Sequence, residues 1–539
     1  MPQEEIKKNE DEETTSWADG VAEEVIKRKK KEFVFEGMWT PSGYFHIGNS
    51  RPEIFTPYSV KKATEEKGFK CRQNFILDDF DAVRKIPMGL GIKEEDHDKY
   101  IGFPCATAPS PLPGFKSWAD CFVSQVRKVI GEFGVDLNII SAYETYKQGK
   151  MNDLIKQSLE HSREIVEIWN EVAGADKPLD FVPLQVLCEK CKKIYFTTVT
   201  GWDKEKELVS YDCKCGHKGK VSPYNGNAKL HWRVHWAAFW VLNEVDFESA
   251  GKDHFSKGGS VDVGQAILKK VFKRTIVQVP TEFIQLAGAK MAGSVGNVID
   301  LAEWLKMAQP EMFRFLNFSY KPNSVIEFSF KDNSFILLNE RFERAEKMFY
   351  GLEAPIHKAD EKQIRAYELS LIKPKAKRLT QVYFTQCVML AQLMDPEKEL
   401  NQIIAVLQEM EMVPKDLSRE EQEAIQAKMK RARYWAENYA PEQFKISFLE
   451  TVSEETKKGL SVEIKEAFKL IADGLPPAKT AEEIQQLVFE SGKSKNVKPK
   501  EIFRALYLVL LGRERGPKIG SLALAFGRDK VAARLAKLA

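Results

Sequence analysis

Residues 33 to 77 leave this chain little choice but to open an α/β domain. Phe33-Val34-Phe35 is a short apolar run that reads as a buried strand, and Trp39 to Gly43 is a turn built on Pro41-Ser42-Gly43. His46 to Gly68 has helical spacing, and Phe69 to Leu77 reads as a second strand. Strand, turn, helix, strand is the start of a doubly wound sheet, because two parallel strands need a crossover helix between them. Pro52 and Pro57 must kink that helix or delay its start, since each lacks an amide hydrogen and crowds the preceding turn.

Around this unit, residues 1–30 read as an N-terminal polar tail and a helix. The helix runs from Trp17 to Lys31, with Ser16 as a possible N-cap. The α/β pattern spans 31–330. Pro- and Gly-rich irregular chain is expected over 83–125, a long helix from Met151 to Ala173, and a strand at Ile276 to Val279 followed by a Gly-rich loop from Ala287 to Asn297. An insert is expected over 83–225, a connecting segment over 331–371, and an all-helical domain over 372–539, with breaks at Pro396, Pro441, Gly474 to Pro477 and Gly512 to Gly520.

The formal net charge is only +3, but its distribution is uneven. From Ser491 to Ala539 there are twelve Lys or Arg against three Asp or Glu. Such an end suits a polyanionic partner or a solvated helical face, and charge alone divides these evenly. Basic residues also stand beside aromatics: Lys428, Lys430, Arg431 and Arg433 before Tyr434 and Trp435, and Arg504 between Phe503 and Tyr507. RNA stacking and helix core both account for those rings. The longest apolar runs, such as Leu506 to Leu511, fall far short of the ~20 residues that span a bilayer. No apolar leader follows Met1, so a cytoplasmic, membrane-free protein is expected.

Of the eight Cys, four cluster as Cys188-x-x-Cys191 and Cys213-x-Cys215-Gly216-His217. Two close pairs separated by a hairpin-length spacer have the pattern of a structural Zn²⁺ ribbon over about 182–222. The second pair is one residue tight, so His217 is an alternative to Cys215.

The turn after the first strand carries a second constellation. Gly48 lets a nucleotide approach the backbone, while His46 and Asn49 are three apart and share one face at a helix start. Both side chains can donate to phosphate, and the helix N-terminus adds its amides. Beyond the later strand, Lys290-Met291-Ala292-Gly293-Ser294-Val295-Gly296-Asn297 places Lys290 as a phosphate clamp.

Together these segments resemble the class I lysyl-tRNA synthetases. Thr40-Pro41-Ser42-Gly43-Tyr44-Phe45-His46-Ile47-Gly48-Asn49 is similar to their HIGH signature, and 290–297 to their KMSKS loop. Asp78-Asp79-Phe80-Asp81 with Arg84, Trp232-Arg233-Val234-His235-Trp236, Gly251-Lys252-Asp253-His254 and Leu511 to Gly520 resemble further blocks of the family in order. The resemblance implies a Rossmann-type (HUP-like) α/β catalytic domain with a zinc-ribbon insert, followed by an all-α anticodon-binding domain. It implies ATP with Mg²⁺, lysine and tRNA(Lys) as partners of a monomer, with lysine joined to tRNA through a lysyl-adenylate. His46, Asn49, Lys290 and Ser294 would be catalytic, and Pro41, Ser42, Gly43, Gly48 and Met291 would join His46, Asn49 and Lys290 around ATP. Thr40, Trp232 and His254 would contact lysine. Cys188, Cys191, Cys213 and Cys215 would hold zinc.

The departures are specific. Ala292 replaces a Ser and Val295 does not supply the second Lys of the loop. His235 stands where the family has Asp, Phe239 where it often has Arg, and Thr281 where a Tyr would make a lysine contact. A glutamyl-type synthetase is the alternative enzyme, but the segment Phe35-Glu36-Gly37-Met38-Trp39 before Pro41 offers no Arg to meet a substrate carboxylate. Glu36, Asp79, Asp253 and Glu282 are acidic candidates for an ammonium. A non-catalytic tRNA-binding paralogue is the alternative from another class, on the altered loop and the missing Tyr.

Overall fold

The computed structural model describes residues 16–286, 298–373 and 378–539, together with the backbone of 289 and 290. The sheet that positions the site has five strands: β1 (Glu32–Trp39), β2 (Lys70–Leu77), β3 (Asn138–Ser141), β4 (Phe247–Gly251) and β5 (Val277–Thr281). Their order is β5-β4-β1-β2-β3 and every pairing is parallel. Chain order reverses at β1, whose neighbours are β2 on one side and β4 on the other. The crevice at the carboxyl ends of β1 and β4 is therefore the topological switch point, where open α/β sheets bind ligands. Burial concentrates in the central strands, with Phe33, Val34 and Phe35 in β1, Phe75, Ile76 and Leu77 in β2, and Phe247 to Ala250 in β4, while β3 and β5 at the edges are mostly half-buried.

The helix expected from His46 to Gly68 forms in three consecutive pieces: α1 (Ile47–Ser50), a wide π-type turn (Arg51–Phe55) and α2 (Thr56–Glu66). Pro52 lies in the π turn, where an amide that cannot donate is cheaply absorbed. This turn presses on β1 at Gly37. A Cβ there would sit 1.9 Å from the carbonyl oxygen of Glu53, so only glycine lets the two segments meet.

Several elements differ from expectation. The N-terminal helix ends at Ile26, and Lys29 takes a positive φ of 55°. The 83–125 stretch ends in a helix from Trp118 to Val129, because Ser117 accepts from the Asp120 amide at 3.2 Å and caps it. Met151 to Ala173 is two helices, Asn152–Glu160 and Ser162–Ala173, meeting at His161 without a Pro or Gly to announce the break.

The ribbon is a three-stranded antiparallel sheet of Thr197–Asp203, Leu208–Cys213 and Lys218–Val221. Its stem is the pair Leu184–Val186 with Ala228–Leu230. The chain divides into two compact units: Met1–Trp304 with Pro310–Phe328 and Gly351–Pro374, and Leu305–Gln309 with Ser329–Tyr350 and Lys375–Ala539. The 331–371 segment is thus shared, its helix Ser334–Phe349 in the second unit and its helix Lys358–Ser370 in the first. Within the second unit, Trp435 is wholly buried and its indole donates to the Phe330 carbonyl at 2.8 Å. That ring is core rather than an RNA platform. The run before it is ion-paired inside the same unit: Lys428 with Glu343, Lys430 with Glu397, Arg433 with Asp395 and Glu437.

Candidate active site

A cavity of about 640 Å³ opens at the switch point. It is lined by Met38, Trp39, Thr40 and Ser42 from the end of β1, by Asn49 and Glu53, by Asp81 and Arg84 beyond β2, and by Gln185, Tyr195, His231, Trp232 and His254. Thr40, Ser42, Asn49, Trp232 and His254 were all expected, and the fold brings them to one place. Pro41, Gly43, His46 and Gly48 lie on the same turn and helix start without lining the cavity.

His46 is the N-cap of α1, its Nδ1 accepting from the Asn49 amide at 3.2 Å. That bond assigns the ring proton of the neutral imidazole to Nε2. The Ile47 amide donates to the Ile299 carbonyl at 2.9 Å, tying the helix start to the chain just beyond 290–297. Lys290 pairs through its backbone with Gln285 in a small sheet of Ile284–Leu286, Ala289–Lys290 and Ile326–Phe328. Met291 and Ser294 lie outside the described residues.

Trp232 opens the helix α3 (Trp232–Leu242). Its ring stacks on Trp236, with centroids 5.0 Å apart, and lies 6.2 Å from His254. Trp236 and Trp240, one turn apart, both donate their indole N–H groups to Glu248 on β4. Burial, partly offset by those two bonds, pushes the Glu248 carboxyl up to about 7. A fully buried carboxylate under the sheet thus fixes the aromatic wall of the cavity.

Glu53 is the acid that sequence reasoning missed. Its Oε2 accepts from the Met38 amide at 3.2 Å, and it lines the cavity. Burial, reinforced by the Glu248 carboxylate, holds its pKa well above the ordinary value despite the Met38 bond. The helical spacing Asn49 to Glu53 was the available signal. None of the four acids proposed from sequence lines the cavity. Glu36 is buried with Asn74 and Asn243, Asp79 accepts from Ser141 and the Tyr143 amide, and Glu282 pairs with Lys252 at 2.8 Å.

Behind the cavity Lys229 is buried 2.8 Å from Asp78 and 3.7 Å from Asp81. Burial disfavours its charge, but the two carboxylates outweigh this and raise its pKa. His235 lies in the same layer, its Nδ1 2.9 Å from the Tyr146 hydroxyl and its Nε2 3.5 Å from Asp78. Tyr146 already accepts from the Leu230 amide, so it donates to Nδ1. Burial, then the Lys229 charge, hold His235 neutral.

The four ribbon sulfurs lie within 4.8 Å of one another, Cys188 to Cys215 at 3.8 Å and Cys191 to Cys213 at 3.7 Å. A tetrahedron with metal–sulfur bonds of about 2.3 Å has sulfur–sulfur edges of about 3.8 Å, so the four thiols match zinc. His217 is outside this group, its Nε2 3.8 Å from Glu189.

Residues 15–373 match the model of the tRNA synthetases class I (K) family. This chain belongs to that family. Residues 431–539 match the anticodon binding domain model. Among curated relatives, the lysine–tRNA ligase of Pyrococcus horikoshii is 33% identical, covering 96% of this chain and 99% of its own. Those of Pyrococcus furiosus and Thermococcus kodakarensis are each 34% identical over the same shares. This class I synthetase has a Rossmann-type parallel sheet, followed in the chain by a helical anticodon-binding domain. Among the described residues no helix is long and apolar enough to cross a membrane.

Proposed function

We propose that this synthetase joins lysine to tRNA(Lys) using ATP. The lysine α-carboxylate attacks the α-phosphorus of ATP, forming lysyl-adenylate and releasing pyrophosphate. A terminal ribose hydroxyl of the tRNA then attacks the lysyl carbonyl, and AMP leaves. His46 through Nε2–H, Asn49 and Lys290 stabilise the phosphoryl transition state by position and charge, with Mg²⁺ neutralising the phosphates. Ser42 and Gly48 shape the turn against which the nucleotide sits, with Met291 and Ser294 contributed by the loop.

The observation that carries the choice of lysine is Glu53. Its half-buried carboxyl lines a cavity together with Trp232, His254 and Thr40, and the cavity's other acid, Asp81, is already engaged by Arg84. A cationic side chain over aromatic rings, ending at a carboxylate, suits this lining. A glutamate substrate would need an available Arg. The cavity's Arg84 instead donates its Nη2 to both oxygens of Asp81, at 2.9 and 3.0 Å. Zinc held by Cys188, Cys191, Cys213 and Cys215 would supply folding energy to the ribbon and no open coordination position. In the second unit, Arg513, Arg515 and Lys518 line a separate cavity of about 630 Å³, which supports tRNA contact there.

Amino-acid-dependent pyrophosphate exchange, screened over all twenty amino acids with and without tRNA, tests the proposal. Lysine alone should support exchange. Exchange with glutamate would refute it, and exchange with none would favour a non-catalytic tRNA-binding role.

A further inference from the structure

Arg51 is a buried cation that neither the phosphate chemistry nor the lysine cavity uses. It follows α1 directly, soon after His46 and Asn49, and it opens the π turn that carries Glu53. Only 1% of it is exposed. Its guanidinium bonds three backbone carbonyls: Nη1 donates to Glu282 at 2.9 Å and to Ser324 at 2.8 Å, and Nη2 donates to Lys321 at 3.0 Å. Burial lowers its pKa to about 10, against the raising effect of the Glu282 carboxylate, so at neutral pH it remains a cation. An apolar side chain would be less unfavourable to bury. A guanidinium, by contrast, is a rigid planar fork that fixes the groups it bridges in distance and direction.

The three carbonyls belong to the two segments that build the small sheet carrying Lys290. Glu282 follows β5, and its amide donates to the Pro322 carbonyl at 2.7 Å. Lys321 and Ser324 lie in the turn before Ile326–Phe328, where the Ile326 amide donates to the Phe283 carbonyl at 3.1 Å. From there Ile284–Leu286 pairs in parallel with Ile326–Phe328, and Ala289–Lys290 returns antiparallel along Ile284–Leu286. The backbone of Lys290 is thus built on the segments that Arg51 grips. The turn on which Arg51 stands is itself fixed. Ser249 on β4 donates its hydroxyl to the Pro52 carbonyl, and Glu53 is pressed against Gly37 and bonded to the Met38 amide.

We propose that Arg51 is a positioning residue for adenylate formation: by holding the end of β5 and the 321–324 turn against α1, it sets where Lys290 stands relative to His46 and Asn49. This rests on the reading of those three residues as the groups that meet the phosphates of ATP. Misplacing such a group by about 1 Å can slow a reaction by about 10²-fold. Lysine binding is spared, because Ser249, Gly37 and Met38 hold Glu53 without the guanidinium.

The test is a double-mutant cycle on the full-length protein, read by single-turnover adenylate formation and by lysine binding without ATP. Arg51→Gln should slow adenylate formation by roughly 10- to 100-fold. Its lysine affinity should stay near that of the wild type. Arg51→Lys, which keeps the cation and reaches fewer of the three carbonyls, should recover part of the rate. In a Lys290→Ala background either change should slow the reaction by less than about threefold more, because the charge to be positioned is gone. An unchanged rate in Arg51→Gln would overturn the positioning role. So would equal fold losses with and without Lys290, or lysine affinity that falls as far as the rate. Thermal melting reports whether each variant is folded, and the cycle is read on Arg51→Lys if Arg51→Gln is not. Failure of the underlying reading looks different: Lys290→Ala alone would leave the adenylate rate unchanged, which removes the phosphate role of Lys290 and the positioning role with it.

Discussion

Lysine binding should expel a proton, and the proton should come from Glu53. In the free protein this carboxyl is buried beside Glu248, and both effects favour its neutral form. An ammonium placed against it reverses the preference, so the bound state is the ionised one. Binding therefore releases a proton wherever Glu53 is protonated beforehand. Below the raised pKa of Glu53, lysine affinity should climb with pH by up to about tenfold per unit, and it should level off above it. Glu248 is itself pushed up to about 7 by burial, and only in its ionised form does it add to the upward push on Glu53. The strength of the ammonium–carboxylate pair follows from burial. Removing one partner of a buried ion pair costs about 3–5 kcal/mol, and the unfavourable ionisation of Glu53 in the free site pulls the net loss to the lower end. Glu53→Gln should thus weaken lysine binding about 100-fold at neutral pH and flatten its pH dependence. Calorimetry in buffers of different ionisation enthalpy counts the protons directly. Lysine affinity that is constant or falling from pH 5 to 8, or that survives Glu53→Gln, would refute the assignment.

Other perturbations separate the remaining parts. Lys290→Ala should slow adenylate formation by roughly 10²–10³-fold, with little change in lysine affinity, since one preorganised cation is removed from the phosphoryl transition state. Val295→Lys should leave that rate equal or raise it if the missing charge is a real deficit; pre-steady-state adenylate assays read both. Zinc should be present at about one per chain, and Cys188→Ser should release it and expose the ribbon to protease. In the second unit, Arg515→Ala with Lys518→Ala should reduce the salt slope of tRNA binding by about one for each phosphate that these side chains neutralise. These exposed positions are a better test than deleting Ser491 to Ala539, because that segment also buries Leu506, Leu510, Leu522 and Leu535.

Local signals in the sequence were sufficient where local physics decides. The apolar run at Phe33, the Pro-Ser-Gly turn and the helix after it specify a strand, a phosphate-accessible turn and a crossover, and the sheet follows. The cysteine spacing located the ribbon in the same way. Convergence across the sheet was out of reach. Nothing local says that the ribbon returns to the cavity and delivers Tyr195 there. The two backbone bonds that achieve this end on Gly102, far back in the chain. The acid was missed for a related reason. Glu36 stands on the strand leading into the turn and looked suitable, but a strand alternates its faces. Its side chain goes to Asn74 and Asn243 within the sheet layer, while Glu53 comes back to the cavity on a π turn that only Gly37 permits.

The departure at His235 shows how depth changes the meaning of a substitution. Set beside the lysine-binding residues in sequence, it suggests an altered substrate site. In the fold His235 has no exposed surface and does not line the cavity. It belongs to the layer of Asp78, Asp81 and Lys229, where two carboxylates already face one ammonium. An Asp at 235 would add a third negative charge to a buried cluster. The neutral imidazole instead receives the Tyr146 hydroxyl at Nδ1 and turns its Nε2–H toward Asp78. Lys229 is then left to Asp78 and Asp81, and Asp81 is the residue that holds Arg84 over Tyr195. The substitution therefore bears on the buried layer behind the cavity, through Asp78 and Asp81, and leaves in place Thr40, Trp232, His254 and Glu53, which line the cavity itself.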